Sequence, residues 1–108
     1  MGNNYDLTKV NAYFSKAFCL VNLEQSKDAI KTYDNLITCF GESKNEEILI
    51  QVAKGMVYKG FTQGKLEQSE DAIKTYDTLI ARFKNLESEE IQKIISNAKG
   101  ELNKLQPD

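Results

Sequence analysis

The chain has 108 residues, 14 Lys+Arg, 16 Asp+Glu, no His, and 41% hydrophobic and 28% charged residues, with a formal net charge of −2. This is the balance of one small globular domain, and it excludes His-based triads and zinc sites and the basic stripe that nucleic acid needs. No apolar run nears the roughly 18 residues of a membrane span, no secretory h-region opens the chain, and the one proline, Pro107, stands at the end, so a soluble, cytoplasmic, nearly all-helical chain is expected.

Met1-Gly2 resembles a myristoylation start, but Asp6 occupies the position where Ser or Thr is needed. The first predicted helix covers about 6–22. Its apolar residues (Leu7, Val10, Tyr13, Phe14, Ala17, Phe18, Leu20, Val21) spread over roughly 160° at ~100° per residue. That is more apolar surface than an end helix needs, so the chain is expected either to be a fragment of a longer array or to contact a second copy through this helix. The second helix, about 27–40, carries one stripe of Ala29, Ile30, Tyr33, Leu36, Ile37 and Phe40. Ser26 is its expected N-cap, with Asp28 in the first turn. Cys19 and Cys39 then fall on consecutive antiparallel helices about 15 Å out of register, at ~1.5 Å rise per residue. A disulfide needs Cα atoms within about 7 Å. Both read as free thiols packed as small hydrophobes in a reducing compartment.

Ser43-Lys44-Asn45-Glu46 has the pattern of a capping box opening the third helix, about 45–64. Its apolar face, from Ile48 to Phe61, spans roughly 220°. Such a helix must be covered on more than one side and belongs in the middle of the fold. Within it Gly60 reads as a close-packing residue and Gly64 as the C-cap. The fourth helix, about 70–84, is opened by Ser69 with Asp71 in its first turn, and repeats the stripe of the second as Ala72, Ile73, Tyr76, Leu79, Ile80 and Phe83. The fifth, about 88–105, opens at Asn85 or Ser88. It confines Ile91, Ile94, Ile95, Ala98, Leu102 and Leu105 to roughly 100°, and its opposite polar face suits a C-terminal cap.

The second and fourth helices belong to an internal repeat. Leu23–Ile37 recurs as Leu66–Ile80 with 13 of 15 residues identical at an offset of 43; only Lys27/Glu70 and Asn35/Thr78 differ. Phe18/Phe61, Phe40/Phe83 and Glu46-Glu47-Ile48/Glu89-Glu90-Ile91 continue the match. Ala53-Lys54-Gly55 returns as Ala98-Lys99-Gly100, which implies two inserted residues. A period of this size signals stacked helix-turn-helix units. The expected fold is an all-α, α-solenoid chain of about 2.5 antiparallel repeats, alternating A and B helices.

Ala29-x-x-x-Tyr33 and Ala72-x-x-x-Tyr76, with Ala17 and Gly60 twelve residues upstream, resemble the small and aromatic positions of the tetratricopeptide repeat (TPR). The resemblance covers essentially the whole chain. The usual period of that family is 34 residues, so this chain is more similar to longer-period bacterial members. It departs from the family with Tyr13 and Met56 at the helix-A tryptophan position, and Gly41 and Lys84 at the closing proline. HEAT-like repeats have a similar length but lack the Ala-x-x-x-Tyr pattern. The resemblance implies a non-enzymatic scaffold that binds a protein or peptide segment in a concave groove lined by A helices, without cofactor, nucleic acid or membrane. Carried over by position, its groove residues are Asn11, Phe14, Phe18 and Val21 in unit one, then Lys54, Val57, Phe61 and Gly64 in unit two. After the insertion they are Lys99 and Asn103 in the last helix. Such a groove suits an apolar anchor with an acidic or C-terminal group. The competing reading buries Phe14, Phe18 and Phe61 in the core.

Nothing else in the sequence assembles chemistry. Glu46-Glu47 and Glu89-Glu90 sit at helix N-termini, where the dipole favours them. Tyr33 and Tyr76 read as core aromatics with the hydroxyl directed outward. The glycines form no phosphate loop, because no strand precedes them and no Gly-Lys-Ser/Thr follows.

Overall fold

The computed structural model describes residues 3–106, with side chains from position 5 onward. Met1, Gly2 and Pro107 lie outside the described residues. Five helices follow one another: α1 (Asn3–Asn22), α2 (Ser26–Phe40), α3 (Glu46–Lys65), α4 (Ser69–Phe83) and α5 (Glu89–Leu105). No strand occurs among the described residues, and no helix there is long and apolar enough to cross a membrane.

The helix ends differ from the expected caps in instructive ways. Ser26 and Ser69 are the first helical residues of α2 and α4 rather than their N-caps. Gln25 and Gln68 hold the cap positions and make no side-chain cap hydrogen bond. The turn before each helix donates its N–H groups back to carbonyls of the preceding helix and so places a glutamine, not a serine, at the cap position. Asn45, not Ser43, caps α3: its side chain accepts from the Ile48 N–H at 3.1 Å. Ser43 Oγ instead accepts from the Asn45 N–H, so the expected capping box is a two-step relay. Ser88 caps α5 by accepting from the Ile91 N–H at 3.3 Å.

Gly64 is not a C-cap. α3 runs on to Lys65, and the left-handed residue that ends it is Glu67, with φ 62°. The Gln68 N–H donates to the Gln63 carbonyl and the Glu67 N–H to that of Gly64. This is the double hydrogen bond of a Schellman motif with Glu where Gly is usual. The A-to-B turn of unit one is built identically: Glu24 has φ 61°, the Gln25 N–H donates to Leu20 and the Glu24 N–H to Val21. The repeated Leu-Glu-Gln is therefore a turn whose central residue carries backbone strain twice.

Packing follows the breadth of the apolar faces. α3 contacts every other helix; α1 reaches only α2 and α3, and α5 only α3 and α4. α2 and α4 make no backbone approach, although the Arg82 guanidinium crosses from α4 to donate to the Gly41 carbonyl at 2.7 Å. That carbonyl lies at the negative end of α2, where a cation is favoured. The molecule is 17 Å across its shortest principal axis, about two helix layers deep. Its core holds Leu36, Ile48, Val52, Tyr76, Leu79 and Ile91, each no more than 1% exposed.

The last helix keeps the 43-residue register without insertion. Its N-cap, Ser88, is 43 residues after Asn45, and burial coincides at Ile48/Ile91, Val52/Ile95 and Gly55/Ala98. The Ala-Lys-Gly match that implied two extra residues is a local coincidence of letters. The equivalents of Lys54, Tyr58 and Phe61 are thus Asn97, Glu101 and Lys104, not residues two positions later.

Two stability outcomes follow from these contacts. A non-Gly residue in the left-handed region costs about 1 kcal/mol, partly offset by the chain entropy that Gly loses. Glu24→Gly and Glu67→Gly are each expected to raise stability by a few tenths to about 1 kcal/mol, read as a higher urea midpoint at unchanged slope. In the opposite direction, a Cβ at Gly60 would stand 2.7 Å from the Tyr76 ring. Gly60→Val should cost about 2 kcal/mol or more through overpacking, whereas Gly100→Ala, with nothing within 4 Å of the new Cβ, should be neutral or stabilising in the same denaturation series.

Candidate functional site

The A helices bring four aromatic rings to one face. Phe14 and Phe18 are one turn apart on α1; Tyr58 and Phe61 are three residues apart on α3 and share a side of it. The Phe14 ring meets Tyr33 at 6.2 Å and Tyr58 at 5.9 Å, both edge to face. Phe18 meets Tyr58 at 5.7 Å, and Tyr33 lies 6.2 Å from the same ring. Each such pair adds about 0.5–1.5 kcal/mol beyond area burial. Tyr58 is the hub of the cluster, and sequence reasoning missed it. The signal was present: Lys54, Tyr58, Phe61 and Lys65 form one i, i+4, i+7, i+11 stripe.

The core reading of these aromatics holds only for Phe14, which is half-buried against the hydrophobic core. Phe18 is 50% exposed and Phe61 46%. Lys54 and Val57 do line a cleft, of about 180 Å³, together with Tyr58, Ile94 and Asn97. The last helix contributes Asn97 here, as its register requires. Lys99 and Asn103 are exposed and line neither this cleft nor the next. Phe61 and Gly64 border a second cleft of about 260 Å³ between the C-terminal ends of α3 and α5. Lys65, Tyr76, Glu101 and Lys104 are on its rim. Lys65 Nζ stands 4.9 Å from the centroid of the Phe61 ring, and Lys104 pairs with Glu101 at 3.0 Å. Asn11 is exposed and Val21 half-buried where α1 ends; neither lines these clefts.

Burial and register together account for the tyrosines beneath this face. Burial pushes the Tyr33 phenol up to about 12, with Tyr58 beside it adding to the rise. Burial pushes Tyr76 to about 12 as well, and there the added influence is the Glu101 carboxylate. Tyr58 and Glu101 are 43 residues apart, so the same position in each unit stands over the buried tyrosine. The first interface is aromatic and the second is charged. Tyr13, on the other side of α1, is raised chiefly by its hydrogen bond to Cys39, 3.6 Å away, and then by burial. Cys39 and Cys19 are free thiols as expected, but both are exposed rather than packed as core.

A larger depression of about 830 Å³ lies on the outer side of α5 and is lined only by polar side chains from Glu87 to Asn97. It offers no apolar anchor. Among the described residues no group of three or more His, Cys, Asp or Glu is placed to hold a metal ion. What the α1–α3 face does offer is an edge-to-face aromatic cluster flanked by an amide and ammonium groups. Such a surface can receive apolar side chains and a carboxylate.

Compared with protein-family models, with curated proteins and with solved structures, the chain finds no match in any of the three.

The two raised phenols make a direct test of the packing. Folded Tyr33 and Tyr76 hold their protons to about 12, whereas unfolded tyrosine releases its proton near 10.0. Their contribution to stability is therefore complete below pH 10 and is lost as pH rises from about 10 to 12. Ultraviolet titration of the phenolates should find Tyr33 and Tyr76 still protonated at pH 11, with helical circular dichroism weakening as they ionise, and Tyr33→Phe should remove one of these late-ionising groups.

Proposed function

We propose that this chain is a short solenoid of TPR type, about two and a half units of 43 residues, and that it works as a non-enzymatic scaffold. In this reading the face formed by α1, α3 and α5 binds a segment of another protein. The observation that carries it is the exposure of large hydrophobic side chains. Of the five that remain exposed among the described residues, three are Phe18, Tyr58 and Phe61; Phe18 meets Tyr58 edge to face, and Phe61 follows Tyr58 by three residues on α3. Aromatic residues held rigidly by a packed helix pair are the usual anchors of a binding hot spot, since little side-chain entropy is lost when they are covered. Asn97, Lys54 and Lys65 beside them suit a segment with an apolar anchor and an acidic group or terminal carboxylate.

A second reading uses the same surface for self-association. It is favoured by Phe18, half exposed on α1 with only Tyr58 stacked against it among the rings. Sedimentation to high micromolar concentration separates the two, since a chain that stays monomeric has no use for its own face.

Selection of peptides displayed on phage, against the intact chain, should yield ligands carrying a hydrophobic residue and an acid. Their affinity should fall at least tenfold, about 1.4 kcal/mol, for Phe18→Ala/Tyr58→Ala and for Tyr58→Ala/Phe61→Ala. Ligands that bind both variants as well as the parent would place the site elsewhere.

A further inference from the structure

Under the 43-residue offset the three A helices share a stripe of five positions, at i, i+4, i+7, i+11 and i+14. On α3 it reads Ile48, Val52, Gly55, Lys59 and Thr62, all buried except the half-buried Lys59. On α5 it reads Ile91, Ile95, Ala98, Leu102 and Leu105, the first three buried and the last two half-buried. On α1 it reads Tyr5, Lys9, Ala12, Lys16 and Cys19, and every one is exposed. The stripe that seats each later A helix is bare on the first.

The α2–α3 contact shows what such a stripe receives. A Cβ added to Gly55 would stand 2.7 Å from Leu36 Cδ2, so the leucine of α2 sits directly over the small residue. Lys59 Nζ pairs with the Asp34 carboxylate at 2.5 Å. The docking helix thus supplies a leucine over the small position and an aspartate two residues earlier, reaching the lysine one turn further along. On α1 both receiving positions are kept: Ala12 is equivalent to Gly55 and Lys16 to Lys59. They border a cleft of about 560 Å³ between α1 and α2. Its other lining residues are Lys9, Tyr13, Cys39 and Phe40. Tyr13 packs edge-on against Phe40 at 6.3 Å and forms an apolar floor with it. No acid lines the cleft, and Lys16 makes no ion pair among the described residues.

We propose that this surface is a second docking site, for an acidic amphipathic helix patterned like α2 and lying outside residues 3–106. Its leucine seats over Ala12 and its aspartate, two residues earlier, pairs with Lys16. Lys9 stands where α3 has Val52, so the occupant gains from a further acid about one turn after its leucine. A second intact copy suits the site less well. In that copy Leu36 and Leu79 are fully buried, so its own B helices have no such face to offer. An α1–α1 contact sets lysine against lysine. The complement that the charges select is an acidic helix that is not one of α1 to α5.

The chain itself supplies the probe. A peptide of residues 69–83 carries Asp77 two residues before Leu79 and has no cysteine; replacing Arg82 with Glu adds the acid opposite Lys9. Titrated into the intact chain labelled for NMR, this Arg82→Glu peptide should shift the amide signals of Lys9, Ala12, Lys16 and the C-terminal turn of α2. Binding should weaken about fivefold in the Lys16→Glu chain, the worth of one ion pair near 1 kcal/mol. It should recover when the peptide also carries Asp77→Lys. Lys16 is exposed, so the variant's unchanged thermal melt serves as the folding control. The Phe18→Ala/Tyr58→Ala chain should bind the peptide as the parent does, which separates this site from the aromatic face. The proposal is overturned by any of three results: no shift on α1 at millimolar peptide, binding indifferent to Lys16→Glu, or shifts confined to α3 and α5 from exchange with the chain's own α4. A peptide-free dimer that protects the same amides overturns it too, by making the occupant a second copy.

Discussion

The structure depends on α3 being buried along both of its long sides. One side receives Leu36 of α2 over Gly55; the other receives the Tyr76 ring of α4 over Gly60, where a Cβ would stand 2.7 Å away. Two glycines five residues apart cost helix propensity, about 1 kcal/mol each relative to alanine. They allow two B helices to approach one A helix from opposite sides. Without both approaches the broad apolar face of α3 would have no cover, and neither α1 nor α5 could be placed relative to the other, since they touch only through it.

That same arrangement makes the aromatic face. Once α3 is seated, Tyr58 is carried over Tyr33 and between Phe14 and Phe18, so the ring cluster results from the core contact rather than standing apart from it. The next interface repeats the geometry with different chemistry. Glu101 replaces Tyr58 over Tyr76, and Lys104 replaces Phe61. One end of the face is therefore aromatic and the other ionic. A ligand covering both would be read for an apolar group at α1–α3 and for charge at α3–α5.

Much of this was legible in the sequence because its strongest signal is periodic. Five helices, their order and the central place of α3 follow from apolar stripes and a 43-residue identity, and the helix limits agree within a few residues. The misreadings share a cause: each took a local letter pattern for a structural one. Ser26 and Ser69 looked like caps, but the preceding Leu-Glu-Gln turn closes onto the helix before it and puts Gln at the cap position, with Glu in a conformation normally left to Gly. Gly64 looked like a C-cap for the same reason. Ala-Lys-Gly at 98–100 looked like an insertion, whereas burial tracks the helix start. Tyr58 was passed over because the family pattern falls on Val57; its role depends on rings from α1 and α2, which only the packed structure brings together.

The width of the apolar arc on α1 is the subtler case. An arc of roughly 160° looks like unfinished surface awaiting a second copy, yet the arc holds two populations. Val10 and Ala17 are fully buried within the chain, while Phe18 is half exposed beside Tyr58. The stripe an additional unit would cover is neither: it is Tyr5, Lys9, Ala12, Lys16 and Cys19. Two lysines there oppose an uncharged neighbour and oppose a second copy of the same helix. Periodicity measures how much of a helix is apolar, but only the repeat offset, applied residue by residue to burial, tells which partner each sector of it serves.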